Sequence, residues 1–289
     1  MKPAAEPGTL AESQKKALVS LLADEDPAVF ELVRKKLLSF GPVVVQWLTP
    51  CTLSNDPLMR RRARGIVNYF AREDSDKRFL AFCITQGEQF EIEQGALMLA
   101  RTQYPEINME GYSALLDSFA EELRPRIDLS DPTAGILGTI NAYLFDELKF
   151  IANEQGYYDP QNSYLNKVLD RRTGNPLSLC LVYMLVARRL QLPLVGIGLP
   201  GHFLCRMQTA RDEFYIDAFN RGRLLTRTDC IRYVVQIRHR LDEDYLAPVS
   251  PRRMLLRNCA NLHQIYTQLQ RNEEMERFQH YLIALAQNN

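Results

Sequence analysis

The period of the apolar positions changes along the chain, and the changes mark its elements. From residue 13 to about 103, apolar residues recur at helical spacing in short runs separated by turn residues. Two runs begin with an Asp-Pro pair, Asp26-Pro27 and Asp56-Pro57. Aspartate caps a helix well and proline is pre-organised for the first helical position, so each pair predicts a helix start. Val29, Leu32, Val33 and Leu37 come after the first pair; Leu58, Ala63, Ile66, Val67 and Phe70 come after the second. "NMEGYSALLDSFAEELRPRI" predicts an amphipathic helix with Tyr112, Leu115, Leu116, Phe119 and Leu123 on one face, and "GILGTINAYLFDELKF" predicts another. After the loop "NEQGYYDPQ", Asn162 is placed to cap a short helix bearing Tyr164, Leu165, Val168 and Leu169, with Gly174 at its C′ position. Asn175 then caps "PLSLCLVYMLVARRLQL", whose first residue is Pro176. That run is apolar nearly all round, which predicts a helix central to the core.

Beyond it the pattern turns strand-like in "LVGIGL", "HFLCRM" and "EFYIDAF". Next come a helical stretch near 228–240 and a helical hairpin, "SPRRMLLRNCANLHQIYTQLQ" and "EEMERFQHYLIALAQ", joined at Arg271-Asn272. The expected fold class is α+β and mostly helical. Four regions are expected: a flexible leader over 1–12, a helical repeat-like region over 13–103, a core with a small antiparallel sheet over 104–247, and the hairpin over 248–289. The two Asp-Pro starts, 30 residues apart, are similar to HEAT-type repeats, with an irregular helical domain as the alternative.

Composition narrows the function classes. Of 289 residues, 46% are hydrophobic and 24% charged, with equal numbers of acidic and basic side chains, so no global field draws the chain to nucleic acid or an acidic membrane. Nine arginines between Arg221 and Arg257 oppose four acids, but the aromatic residues there do not interleave as in a nucleic-acid platform; the stretch reads as solvated helix faces, or as a surface for an anionic partner if the arginines cluster. The six cysteines show neither CxxC pairs nor Cys/His ligand spacing, so no metal and no cofactor is expected, and a reducing compartment is. With no signal-like leader and no apolar run of membrane-spanning length, the expected localisation is cytoplasmic.

Candidate chemistry lies between "GNPLSLC" and "FYIDAF". If Gln208–Arg211 form a four-residue turn, Met207 faces Asp212, Cys205 faces Phe214, and His202 faces Asp217. A carboxylate beside an imidazole orients it and supports its charged form; a buried histidine satisfied by a carboxylate is the simpler account. A nucleophile belongs at the mouth of the buried helix, where dipole and imidazolium would stabilise a thiolate. Pro176 occupies that position. Cys180 is on the same face about one turn deeper, and Ser178 is near the mouth on another side. Each also has a plain role, Cys180 as a small buried hydrophobe and Ser178 bonding back to the first turn. Cys205, close to the histidine in sequence, points to the opposite strand face.

Residues from roughly 104 to 225 resemble the transglutaminase-like core of a widespread bacterial family often joined to C-terminal tetratricopeptide-like helices. The resemblance lies in "NSYLNKVLDRRTGNPLSLCLVYMLVARRLQLPLVGIGLPGHFLCR" and "FYIDAFNRG". It implies a papain-like fold in which a central helix carries a nucleophilic cysteine at its N-terminus and a small sheet bears the His and Asp. His202 and Asp217 match those two positions; counting back from Pro193, the cysteine position falls on or beside Pro176. Gly174, Asn175 and Pro176 then read as structural residues of the helix mouth. The expected function is a non-catalytic domain that binds or regulates another protein through helical surfaces. The alternative is a cysteine-type hydrolase or acyl transferase using His202 and Asp217 with a displaced nucleophile, Cys180 before Ser178.

Overall fold

A computed structural model describes residues 10–237 and 243–287. The predicted leader therefore falls mostly outside the described residues, as do the end of the predicted 228–240 helix and its Arg238 and Arg240. The chain divides into two compact units, one up to Lys77 with Arg101–Glu106, the other Arg78–Ala100 with Ile107 onward.

The first unit holds α1 (Glu12–Ser20), α2 (Pro27–Ser39), α3 (Val44–Leu48) and most of α4 (Pro57–Thr85). Both Asp-Pro pairs start helices as expected. Asp26 accepts from the Ala28 amide at 2.8 Å, and Asp56 from those of Leu58 and Met59 at 2.8 and 3.2 Å. The two helices then differ in length, 13 residues for α2 and 29 for α4. Val33 and Leu37 of α2 enter a core with Leu22, Val44, Leu48, Ala63 and Ile66. Leu32 does not, and is 70% exposed. At about 100° per residue it sits well off the stripe formed by Val29, Val33 and Leu37.

The second unit is mostly helical and includes the small sheet. Its helices are α5 (Ile92–Gln103, up to Ala100), α6 (Met109–Leu123), α7 (Thr133–Asn141), α8 (Leu165–Arg171), α9 (Pro176–Arg189), α10 (Arg227–Gln236), α11 (Pro251–Gln268) and α12 (Asn272–Ala286). A π-helical turn over Ala142–Glu147 continues α7. Two two-residue strands, β1 (Ile151–Ala152) and β2 (Thr173–Gly174), pair in parallel. The main sheet contains β3 (Leu194–Ile197), β4 (Leu204–Gln208), β5 (Glu213–Asp217), β6 (Arg223–Leu225) and β7 (Pro248–Val249). It is antiparallel, in the order β6-β5-β4-β3-β7. β6 and β7 are edge strands of three and two residues, too short to show an alternation in sequence.

Two local expectations are corrected. α8 is preceded by Tyr164 with no side-chain cap, while Asn162 is buried and donates to the carbonyls of Gly156 and Tyr157. The helix ends at Arg172 in the left-handed region (φ 53°), and Gly174 lies in β2. The β4–β5 register is offset by two residues: Met207 faces Phe214 and Cys205 faces Ile216, around a turn over Thr209–Asp212. An even offset leaves each side chain on its expected face.

α9 is the centre of this unit. Of its residues from Pro176 to Ala187 only Met184 is not buried, and the helix packs against α6, β3 and β4. Cys205 sits on the sheet face toward α9, its thiol donating to the Cys180 carbonyl at 3.5 Å. Leu204 points the other way, into a cluster with Tyr215, Cys230 and Val234 under α10. Helices thus cover both faces, and the end of the sheet meets the N-terminus of α9. Among the described residues no helix is long and apolar enough to cross a membrane.

Candidate functional site

The mouth of α9 is built by local chemistry. Asn175 accepts from the Ser178 amide at 2.9 Å through Oδ1, and its own amide donates to Ser178 Oγ at 3.0 Å, a reciprocal box that satisfies two donors at the helix end. Ser178 Oγ also donates to the Asn175 carbonyl at 3.2 Å, so the hydroxyl is fully used and 2% exposed. Asn175 Nδ2 donates to Ser163 Oγ, fixing the cap to the turn before α8. Gly174 is required here by close approach, since a Cβ on it would meet Ser178 Oγ at 2.5 Å. Pro176, at the first helical position, has no amide hydrogen to satisfy.

The facing wall comes from the turn between β3 and β4. Gly201 takes a positive φ of 68°, and the His202 amide donates to the Leu199 carbonyl at 3.2 Å, closing the turn. Tyr233 of α10 donates its hydroxyl to the Pro200 carbonyl at 3.3 Å. Arg257 of α11 donates Nη2 to the carbonyls of Leu199 and His202 at 2.9 and 2.7 Å. The imidazole is therefore placed by a turn stapled from two helices. It is not a strand position, because β4 begins at Leu204.

From that turn His202 Nε2 reaches Asp217 Oδ1 at 2.9 Å. The pairing expected from a strand register is present, although the register that suggested it is wrong. Asp217 ends β5 and is buried. It also accepts from Asn220, at Oδ1 from the backbone amide (3.2 Å) and at Oδ2 from Nδ2 (2.7 Å). Burial pushes its carboxyl pKa up, but the bonds from His202 and Asn220 outweigh burial and hold it below its ordinary value. An ionised carboxylate only accepts, so Nε2 donates the proton of this bond. Among the described residues no hydrogen bond reaches Nδ1. The ring is flanked by Phe219 and Tyr233, with centroids at 6.0 and 5.8 Å, and Tyr157 packs edge-on against Phe219.

Two cavities of about 210 and 550 Å³ open beside this ring, and Tyr157, Pro176, Gly201 and His202 line both. The smaller runs toward α11, past Arg257 and Asn261; the larger runs toward α10, past Phe219 and Tyr233. Pro176 thus stands in the shared wall, and the side chain that a nucleophile would replace there is inert.

The candidate nucleophiles are elsewhere. Cys180 is fully buried and donates its thiol to the Phe203 carbonyl at 3.4 Å. Cys205 is fully buried against it, and burial first, then the Cys180 sulfur, push its pKa well above the ordinary thiol value. Neither Cys180 nor Ser178 lines either cavity. Among the described residues no group of His, Cys, Asp and Glu could hold a metal ion. The wall residues Tyr157, Tyr233 and Arg257 were not singled out from sequence. "YY" inside a polar loop and Arg257 at the end of the arginine-rich stretch, with Asn261 and Gln264 on its helix face, were the available signals.

A profile of the transglutaminase-like superfamily matches residues 110–260, just over half of the 289. The UPF0162 protein of Xylella fastidiosa strain 9a5c is 36% identical over 202 residues, covering 67% of this chain and 71% of that protein. The UPF0162 protein of Pseudomonas aeruginosa is 31% identical over 181 residues, covering 60% and 64%. F-box only protein 21 of Mus musculus is 45% identical over 103 residues, 33% of this chain and 16% of that protein. No solved structure matches. With a helix mouth facing a His–Asp pair in the region the superfamily profile spans, and bacterial relatives aligned along most of their length, this chain belongs to the transglutaminase-like superfamily.

Proposed function

We propose that this protein is a catalytically silent transglutaminase-like domain that binds another protein through the cleft around His202. The observation that carries the reading is Pro176 in the wall shared by both cavities, where acyl transfer would need a nucleophile in line with the imidazole. The cavities, the aromatic rings beside His202 and its Nδ1 supply shape and one polar anchor for a ligand. Asp217 then serves to orient the ring. The 103-residue likeness within the much longer F-box only protein 21 is consistent with a core used as a module.

The competing reading makes the protein a hydrolase or acyl transferase with Cys180 as displaced nucleophile. It requires that thiol to leave its bond to the Phe203 carbonyl and reach a cavity it does not line. Thiol alkylation of the native protein, mapped by mass spectrometry, separates the two. Cys51, the one cysteine that is not buried, should label first, with Cys180 no faster than Cys83 or Cys259 and unchanged in His202→Ala. Preferential labelling of Cys180 that disappears in His202→Ala would establish the hydrolase reading instead.

A further inference from the structure

The smaller cavity differs from the larger in its charge. Arg257, Asn261 and Gln264 lie at i, i+4 and i+7 of α11, which puts all three on one helix face, and all three line this cavity. Across from them are the capped mouth of α9, at Asn175 and Pro176, and the rings of Tyr157, Tyr158 and Phe203.

Among the described residues Arg257 is bonded only to backbone carbonyls. Its Nη2 hydrogens go to the carbonyls of Leu199 and His202, and its guanidinium lies over the Phe203 ring, 5.4 Å from the centroid. Burial pushes its pKa below the ordinary guanidinium value. Yet among the described residues no carboxylate pairs with it, and neither Nε nor Nη1 has a hydrogen-bond partner. Two other arginines of this unit are compensated: Arg252 donates to the carbonyls of Cys83, Gln86, Ala284 and Leu285, and Arg189 meets carboxylates. Its guanidinium meets Glu93 at 2.8 Å and Asp117 at 2.5 Å. A cation taken partly out of water normally has its counter-charge supplied by the fold. Arg257 instead lines, with two amide side chains one and two turns along, a cavity of about 210 Å³.

We infer that this cavity is a carboxylate-binding site, with Arg257 as the charged anchor and Asn261 and Gln264 as amide donors. An arginine flanked by amides suits the planar, acceptor-only carboxylate. The ligand's carboxylate completes the ion pair that the fold leaves open, and the neighbouring rings and Ile265 accept the carbon chain that carries it. Peptide C-termini and free organic acids share this chemistry. The inference rests on the reading of the cleft as a binding surface and names what one end of it recognises.

The test uses the full chain with two pools of N-acetylated tetrapeptides, one with free C-terminal carboxylates and one with C-terminal amides, and with acetate as competitor. The acid pool should bind at least tenfold more tightly than the amide pool. Arg257→Gln should lose that preference. Because Arg257 also holds the turn bearing His202, a second pair of variants leaves it in place. Gln264→Glu supplies an internal carboxylate and should weaken the acid pool about tenfold, while Gln264→Lys should hold or strengthen it. Acetate displacing the peptides at similar concentrations would assign the site to small acids, and its failure to do so would assign it to peptide termini; either keeps the carboxylate chemistry. Equal binding of acid and amide pools, no binding of the acid pool, or indifference to Gln264→Glu would overturn the inference. Equal binding of both pools would leave the binding reading of the cleft intact, whereas a reactive Cys180 would sink that reading and leave the carboxylate preference to be judged by itself.

Discussion

The two walls of the cleft are built on opposite plans. On the helix wall every polar group is bonded inward: Asn175 and Ser178 satisfy each other, Pro176 has nothing to offer, and Cys180 is bonded to a carbonyl in the core. On the sheet wall His202 is bonded, among the described residues, on one side only, through Nε2 to Asp217, and its ring lies beside two cavities. One wall closes its hydrogen bonds on itself; the other orients an imidazole beside open space.

The helix wall is the easier to break. Gly174→Ala would put a methyl group 2.5 Å from Ser178 Oγ, and both β2 and the capping box are too constrained to yield cheaply. The expected loss is about 1–3 kcal/mol, typical of overpacking, measured as a drop in the denaturation midpoint at unchanged slope. Ser178→Ala alone should cost about 1 kcal/mol through the lost cap. The double variant should cost less than the sum, because removing the hydroxyl removes the tightest contact and leaves only Leu179 at 3.2 Å. Additive losses would mean that the mouth is looser than a self-closed wall allows.

The contrast is sharpened by giving the helix wall what it lacks. Pro176→Cys places a thiol at the first position of α9, in the wall it shares with His202. The helix N-terminus and the imidazole should both favour the thiolate, so this thiol should react with iodoacetamide roughly tenfold faster than an ordinary exposed one. That excess should vanish in Pro176→Cys/His202→Ala. If the introduced thiol is no faster than Cys51, the sheet wall is not aimed at the mouth, and the comparison fails.

How much of this was legible in sequence depends on the kind of signal. The helix mouth was, because caps are local: Asn175, Pro176 and Ser178 announce themselves within four residues. The His–Asp pair was legible through strand periodicity despite a register offset of two, since an even slip preserves faces. It could not have been placed correctly, because His202 is outside β4, in a turn held by Tyr233 and Arg257. Those staples arrive from α10 and α11, far along the chain, and no local pattern specifies such contacts. The edge strands β6 and β7 were hidden for a related reason: they are made by pairing with the sheet rather than by their own two or three residues. The length of α4 was missed because polar residues on its outer face read as turn punctuation.

The smallest expected effect concerns the sheet wall, and it is read as a slope. Asp217 ionises more readily in the folded protein than in the unfolded chain, despite burial, because His202 and Asn220 donate to the charged form. A carboxyl with a lowered folded pKa adds stability that is fully present above the unfolded value, about 3.9, and is lost as pH falls through the folded value. Asp217→Asn cannot titrate. Its stability deficit relative to the natural chain should therefore narrow as pH falls below about 4, in urea melts taken across that range. His202→Gln should narrow in the same window, because it removes one of the donors that lowers the carboxyl. A gap that stays constant down to about pH 2 for both variants would mean that the pair is held by packing alone. The sheet wall would then be as closed as the helix wall that faces it.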